Sequence, residues 1–514
     1  MKQYWFFAAF GFACLVAAAV WLGGLNQDEG WYLYAANLVA EGQVPYRDFF
    51  FTQGPIMPAV YAHFVWAWQK FGLLGARIFT ASLGTLGIVF AVLLARRLVE
   101  NEKKDIAAVV VAFLLGCNLY HLYYTAIPKT YALAGLFVLA GFYLLSFCVS
   151  ARRVVRVTCV MSAALLFAFA AGTRISLGAI LAAIGLGLLI GYKKFGLSFL
   201  WFGIAGVVGL GIVYGVPMLD EGSRAGFWAA QAYHTARGGF DAVFAVGSLS
   251  RLVRWYAPTF VFLGLGVLGM ARGKSAAGKR DVLGLVFAGA VAVMVVQLCA
   301  PFPYEDYQVP VMGILSVGAA VLCVRNLDAK FPFALLALGM TWALAFGSPL
   351  LEGWMVNGQD RFWSLKKKSC EMAQLRDVAR RINELDPNGK MLLTQDLYLA
   401  IETNRKVPRG LEMGPFSYWG EAVPESMPKG LVMDEAGMTA LLASAPCEVA
   451  AFSGYAFAIT APEGTETPQE KQLDYFHLLY RRYDLAFREE AFGQNATTLL
   501  VLKRKAGVEG AAVK

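Results

Sequence analysis

The hydrophobic pattern divides the 514-residue chain into a long apolar part and a shorter mixed part. A membrane-spanning helix needs about 20 mostly apolar residues, and eleven runs before residue 350 approach that length. The runs cover residues 4–25, 73–95, 106–120, 131–149, 155–172, 175–191, 197–218, 252–271, 282–300, 309–324 and 331–349. We therefore predict an α-helical polytopic membrane protein with about eleven transmembrane helices, which excludes a plain cytosolic enzyme.

The last third of the chain has a different pattern, in which helical and strand periodicities alternate. The predicted elements are helices at 370–385, 435–443 and 470–483 and strands at 391–394, 448–452 and 497–502. Such alternation is typical of an α/β module. We predict a transmembrane domain at 1–350, with a long first external loop at 26–72, and an extracytoplasmic α/β domain at 351–514.

Charge sets the predicted orientation. Residues 1–350 carry 25 Lys and Arg against 14 Asp and Glu, whereas residues 351–514 carry 20 against 22. A net charge of +9 could indicate nucleic-acid binding, but the positive residues stand between hydrophobic runs, so we predict the lipid bilayer as a partner and no nucleic acid. With the N-terminus in the cytoplasm, 16 of the 25 basic residues fall on the cytoplasmic side, Lys2 at the N-terminus and 15 in loops. The positive-inside rule then predicts a bacterial inner-membrane protein whose C-terminal domain is periplasmic.

The first external loop opens with Asn26-Gln27-Asp28-Glu29, directly after the first apolar run. Two adjacent carboxylates at a membrane edge are costly to desolvate, and such a pair can act as a general base or bind a divalent cation. The alternative is a solvated loop that caps the next helix, because acidic residues favour a helix N-terminus. The segment Trp31–Ala40 could be an amphipathic helix that lies at the interface.

A second motif follows at residues 42–55, where Gly and Pro force turns and aromatic residues supply flat apolar walls. Those walls suit lipid or the face of a sugar, and the alternative is an interfacial aromatic belt. We predict Tyr46, Arg47, Asp48 and Gln53 as substrate-binding residues of this segment.

The order of these motifs resembles the GT-C glycosyltransferases. The closest resemblance within this group is to the protein O-mannosyltransferase and lipid A aminoarabinose transferase superfamily. The resemblance lies in the order of the first helix, Asp28-Glu29, a short helix, the Gly-x-x-Pro-Tyr-Arg-Asp motif from Gly42, a later Pro, Phe71-Gly72 and Arg77. The specific match covers residues 20–100. The resemblance implies a GT-C-like fold and transfer of a sugar, with inversion, from a polyprenyl-phosphate donor to a glycan, glycolipid or protein acceptor.

The resemblance also implies roles for individual residues. Asp28 matches the acid that serves as catalytic base or helps to hold a divalent metal, such as Mg²⁺ or Mn²⁺, and Glu29 lies beside it. Many members carry a second acid where this chain has Lys129, which departs from a two-acid metal site. Basic residues at predicted external membrane edges could bind the donor phosphate, because Arg grips phosphate bidentately; these are Arg77, Lys129, Arg174, Arg251 and Arg254. The alternative for each is snorkelling to lipid headgroups.

The last external cluster contains Tyr304, Glu305 and Asp306, which could bind acceptor or metal or could form a solvated turn. In the tail, an oxidising compartment would permit a disulfide between Cys370 and Cys447.

A transporter or flippase of lipid-linked sugars is the alternative function. Transporters usually show internal repeats and ionisable residues at mid-membrane. Here these residues lie almost wholly at helix ends, which favours the enzyme.

Overall fold

The computed structural model describes residues 2–235, 238–271, 280–326, 370–420, 423, 427–462, 464–508 and 510. The eleventh predicted span at 331–349, the basic loop at 272–279 and the predicted domain boundary at 350 lie outside them. The described residues form two compact units. The first comprises residues 2–20, 78–215 and 240–326, and the second comprises residues 21–77, 216–239 and those from 370 onward.

The chain before residue 327 is almost entirely helical. In chain order its α-helices are α1 (Lys2–Leu22), α2 (Gln27–Ala40), α3 (Ile56–Ala62), α4 (Val65–Phe71), α5 (Leu73–Leu98), α6 (Lys104–Gly116), α7 (Leu119–Ala126), α8 (Thr130–Leu145), α9 (Arg153–Thr173), α10 (Gly178–Ile190), α11 (Tyr192–Phe195), α12 (Ser198–Leu210), α13 (Val216–Leu219), α14 (Glu221–Thr235), α15 (Ala242–Trp255), α16 (Ala257–Ala271), α17 (Arg280–Leu298) and α18 (Val309–Asn326). A short 3₁₀-helix at Glu305–Gln308 leads into α18.

The apolar helices coincide with the predicted runs. Within the described residues, four helical stretches are long and apolar enough to cross a membrane: Leu73–Leu98, Arg153–Thr173, Ser198–Gly215 and Glu305–Asn326. Three bent pairs would raise the number to seven, and three shorter apolar helices match further runs. The predicted helical membrane fold is confirmed, and the number of eleven spans stays a prediction.

Helix α18 is the central element of the first unit. It is buried along nearly its whole length and packs against α6, α8, α16 and α17. Gly266 of α16 permits one of these approaches, because a Cβ there would lie 2.8 Å from the backbone nitrogen of Cys323. Small residues allow such close packing of apolar helices, where van der Waals contact replaces the hydrophobic effect.

The C-terminal module of the second unit is the α/β structure that the sequence predicts. Its elements are α19 (Glu371–Leu385), β1 (Leu393–Thr394), α20 (Leu397–Thr403), β2 (Tyr418–Gly420), β3 (Met433–Asp434), α21 (Glu435–Ser444), β4 (Val449–Phe452), β5 (Ile459–Thr460), β6 (Thr465–Glu466), α22 (Gln469–Arg482), β7 (Tyr483–Phe492) and β8 (Thr497–Arg504). The main sheet has the order β1-β4-β8-β7, with β1 parallel to β4 and the other pairs antiparallel.

Helix α2 differs from its prediction. The interfacial helix predicted at Trp31–Ala40 is wrong, because ten of the fourteen residues of α2 are buried and no face is left for lipid. It packs against α3 and α20 within the second unit. Its apolar and aromatic residues therefore form protein core, which composition alone did not distinguish from a membrane-surface pattern.

Candidate active site

Asp28 lies in the first turn of α2, where the local sequence fixes the backbone. The Asn26 side chain accepts a hydrogen bond from the Asp28 nitrogen at 3.1 Å, and Glu29 Oε1 accepts one from the Asn26 nitrogen at 2.9 Å. This capping box satisfies backbone donors that a helix start leaves unpaired. Asp28 itself is half-buried, and its Oδ1 accepts a hydrogen bond from Trp31 Nε1 at 3.1 Å.

Glu29 and Arg77 form a buried ion pair in the second unit. Arg77 Nε donates to Glu29 Oε2 at 2.7 Å, and Nη2 donates to Oε1 at 2.6 Å. The same guanidinium donates to the carbonyl oxygens of Gly23 and Gly24, each at 2.8 Å. Both side chains have no exposed surface. This bidentate ion pair indicates a structural role for both residues. The predictions of Glu29 as a reacting acid and of Arg77 as a phosphate ligand stay predictions.

The predicted aromatic segment is mostly core. Tyr46 is fully buried with φ of 72°, and its hydroxyl donates to the Gln53 carbonyl at 2.6 Å. A Cβ on Gly226 of α14 would lie 2.0 Å from the Tyr46 carbonyl oxygen, so the helix can approach this turn only with glycine there. Tyr46 and the Gln53 backbone therefore stabilise the loop.

Arg47 and Asp48 are the accessible part of the same segment. The two side chains pair at 2.8 Å, and Asp48 also accepts a hydrogen bond from the Val44 nitrogen at 2.8 Å. The hydrogen bond from Arg47 lowers the pKa of Asp48. The pair is thus a charged group at the surface of the second unit, and its predicted contact with substrate stays a prediction.

In the first unit, the structure brings together two of the predicted phosphate ligands. Lys129 Nζ lies 3.2 Å from Asp306 Oδ2, which also accepts a hydrogen bond from the Tyr131 hydroxyl at 2.8 Å. The Arg174 guanidinium lies 4.0 Å from the Tyr307 ring centroid and 5.4 Å from that of Tyr131, and Lys129 lies 5.1 Å from the latter. We call Lys129, Tyr131, Arg174, Asp306 and Tyr307 the Asp306 cluster.

A second ion pair joins the same loop to α15. Arg251 Nε donates to Glu305 Oε2 at 3.0 Å, and the Ser248 hydroxyl lies 3.5 Å from the same oxygen. Arg254 is exposed in the last turn of α15. Tyr304 is partly exposed and contacts Phe244 edge-on at 5.3 Å.

Sequence reasoning missed several members of these groups. Tyr131 lies two positions after Lys129, and Tyr307 lies one position after Asp306. A tyrosine in or beside an apolar run does not by itself indicate a site. Ser248 precedes Arg251 by three positions, so the two share a face of α15. A correct prediction of helix α15 would have placed Ser248 beside Arg251.

The divalent metal predicted at Asp28 stays a prediction. Within the described chain, no group of three or more His, Cys, Asp and Glu side chains could hold a metal ion, and the neighbouring Glu29 is paired with Arg77. Cys370 and Cys447 are both free thiols, so this structure does not contain the disulfide that an oxidising compartment would permit.

Comparison with solved structures shows that the chain shares the fold of ArnT, which confirms the mostly helical architecture with a C-terminal α/β region that the sequence predicts. The similar structures include two of ArnT from Cupriavidus metallidurans, one in the apo state and one bound to undecaprenyl phosphate. Both align with a TM-score of 0.67 over 99% of this chain and 99% and 100% of theirs, at 15% and 14% identity. No protein-family model and no curated protein sequence matches the chain.

Proposed function

We propose that the protein is a membrane glycosyltransferase that moves a sugar from a polyprenyl-phosphate donor to a glycolipid, polysaccharide or protein acceptor. The observation that carries the proposal is the Asp306 cluster, in which a buried lysine pairs with the Asp306 carboxylate and a half-buried arginine lies over the Tyr131 and Tyr307 rings. The GT-C fold supports it, because an ArnT structure with this fold holds undecaprenyl phosphate.

The Asp306 cluster suits a phosphate for electrostatic reasons. Ionisable residues within or beside membrane helices are expensive and usually functional. Lys129 and Arg174 place two cationic side chains beside the Tyr131 ring. Both can donate charge-assisted hydrogen bonds to a phosphate, and such bonds are stronger than neutral ones. Arg251 and Arg254 are the further candidates for the same anion.

Asp28 is the proposed general base. Its carboxylate would take the proton of the acceptor hydroxyl as the hydroxyl oxygen attacks the anomeric carbon. The bond from that carbon to the phosphate oxygen breaks, and polyprenyl phosphate leaves with the electron pair. Attack opposite the leaving group inverts the anomeric carbon. Cations stabilise the charge that develops on the leaving phosphate, and the base contributes roughly 10²–10⁴-fold to the rate.

The proposed topology has eleven spans, the N-terminus in the cytoplasm and the C-terminal module in the periplasm of a bacterium. It is supported by the ten apolar runs that coincide with described helices and by the basic bias of the alternate loops. A C-terminal alkaline phosphatase fusion should be active, and an inactive fusion would require an even number of spans.

A transfer assay tests the function. Membranes that contain the wild-type protein are incubated with a panel of radiolabelled polyprenyl-phosphate sugars, in parallel with Asp28→Asn and the control Asp474→Asn, an exposed acid on α22. We expect transfer by wild type and control and a loss of roughly 10²-fold or more in Asp28→Asn. EDTA followed by Mg²⁺ or Mn²⁺ tests the metal prediction.

Two results would contradict the proposal. Absence of transfer with every donor would reject the glycosyltransferase, and movement of labelled lipid between leaflets without transfer would favour the flippase. Full activity of Asp28→Asn would reject Asp28 as the base.

A further inference from the structure

Residues of the C-terminal module accept hydrogen bonds from the backbone just before Asp28. The Leu25 nitrogen donates a hydrogen bond to Glu371 of α19. The Gln27 nitrogen donates to Gln494 Oε1 at 2.8 Å, in the turn between β7 and β8. These bonds fix backbone groups immediately before Asp28, at a helix start where the first amides lack partners within the helix.

The Gln27 side chain adds a buried contact to the same module. Its Nε2 donates to the Gln395 carbonyl at 3.3 Å and to Asp396 Oδ1 at 3.4 Å. Asp396 is itself held by three donors, the Ser453 nitrogen and hydroxyl at 2.9 Å and the Tyr398 hydroxyl at 3.0 Å. Because Ser453 follows β4, the Gln27 amide is connected through Asp396 to the main sheet.

Close packing fixes α2 on the other side of Asp28. A Cβ on Gly30 would lie 2.4 Å from the Tyr398 nitrogen and 2.8 Å from the Leu397 Cβ. The backbone of α2 therefore touches the start of α20 directly, which only glycine allows. Residues 25, 27 and 30 bracket Asp28, and each is held by residues of the C-terminal module.

We propose that the C-terminal module positions the catalytic carboxylate, with Gln27 and Asp396 as positioning residues for Asp28. This inference rests on the proposed function, since it assigns to the module a part in that same reaction. A misplacement of about 1 Å by a distant change can lower a rate roughly 10²-fold. The module thus acts on the chemical step through α2.

Steady-state kinetics of the full-length protein in proteoliposomes test the proposal. Gln27→Ala removes the amide that bridges to Asp396, and Tyr483→Phe is the matched control, because it removes one buried hydrogen bond of the module, to the Cys447 carbonyl, that does not involve α2. We expect Gln27→Ala to lower kcat roughly tenfold or more with an unchanged KM for the polyprenyl-phosphate sugar, and Tyr483→Phe to leave both unchanged.

A double variant separates positioning from a general structural defect. If Gln27 acts through Asp28, Gln27→Ala should lower the residual rate of Asp28→Asn no further, because coupled residues are not additive. Losses that multiply, or a Gln27→Ala variant with wild-type kcat, would overturn the proposal. The function itself fails only if wild type transfers no sugar or Asp28→Asn keeps full activity, so the two failures are distinguishable.

Gly30→Ala perturbs the same contact by sterics. The control is Gly203→Ala in α12, where a Cβ meets nothing within 4 Å. We expect kcat to fall in Gly30→Ala and not in Gly203→Ala. Unchanged kcat in a monodisperse Gly30→Ala protein would contradict the proposal. Should Gly30→Ala not fold, the Gln27→Ala comparison decides alone.

Discussion

The ion pair between Glu29 and Arg77 should stabilise the fold, and Arg77→Met tests this. The guanidinium makes four hydrogen bonds of 2.6 to 2.8 Å, two to Glu29 and two to backbone carbonyls, and neither side chain has exposed surface. Methionine would leave the Glu29 charge buried without the Arg77 counter-charge and would remove one hydrogen-bond donor from each of two carbonyls. Breaking a buried pair in this way costs about 3–5 kcal/mol.

The assay is thermal loss of the monodisperse protein in detergent. Arg96→Met is the matched control, because Arg96 pairs with Asp105 on the surface, and exposed pairs contribute roughly 0–1 kcal/mol. The double variant Glu29→Gln/Arg77→Met removes both charges and should recover part of the loss. Two results would refute the structural role: equal thermal stability of Arg77→Met and Arg96→Met, or a double variant no more stable than Arg77→Met. Either result would favour Arg77 as a phosphate ligand.

Two further predictions concern charge in each unit. Burial raises the pKa of Glu412 to about 7, above its ordinary value of 4.5, so the native state holds this proton more tightly and its contribution to stability falls as pH rises from about 4.5 to 7. The unfolding temperature of wild type should therefore fall more between pH 5 and pH 7.5 than that of Glu412→Gln, and parallel curves would contradict this. In the Asp306 cluster, the double variant Lys129→Met/Asp306→Asn should raise the KM for the donor roughly tenfold, because a hydrogen bond to a charged group contributes about 1.5–3 kcal/mol. The exposed control Lys406→Met should leave this KM unchanged. An unchanged donor KM in the double variant would reject Lys129 as a phosphate ligand.

Much of the fold is readable from the sequence because apolar runs and periodicity report burial directly. The predicted helix at 435–443 is observed at Glu435–Ser444, and the predicted strand at 448–452 is observed at Val449–Phe452. Strand β7 was missed because it lies at the sheet edge with most of its side chains exposed, so it lacks the alternation that marks a half-buried strand. Helix α20 was missed because its seven residues are too few for a periodicity.

The candidate site was only partly readable, because a residue type does not reveal its partner. The sequence indicated that Lys129 and Asp306 were unusual, but not that they pair over 177 positions. Likewise, Glu29 and Arg77 have the chemistry of reacting groups, and only their mutual distance shows that each neutralises the other. Gln27 gave no signal, since a glutamine beside an Asp-Glu pair is equally consistent with a solvated loop.

The hydrogen bonds around Gln27 also order the events of folding. They join α2 to residues 368 and 467 positions later in the chain. Contacts of such long sequence separation form late, because the cost of closing the loop comes before any contact compensates it. During synthesis, we therefore expect α2 to make these hydrogen bonds only after the last strands have been made. The apolar helices that lie between α2 and the C-terminal module in the sequence can associate earlier. We therefore expect that a chain that stops short of β8 is inserted in the membrane but transfers no sugar, because the proposed base Asp28 then lacks the contacts that position it.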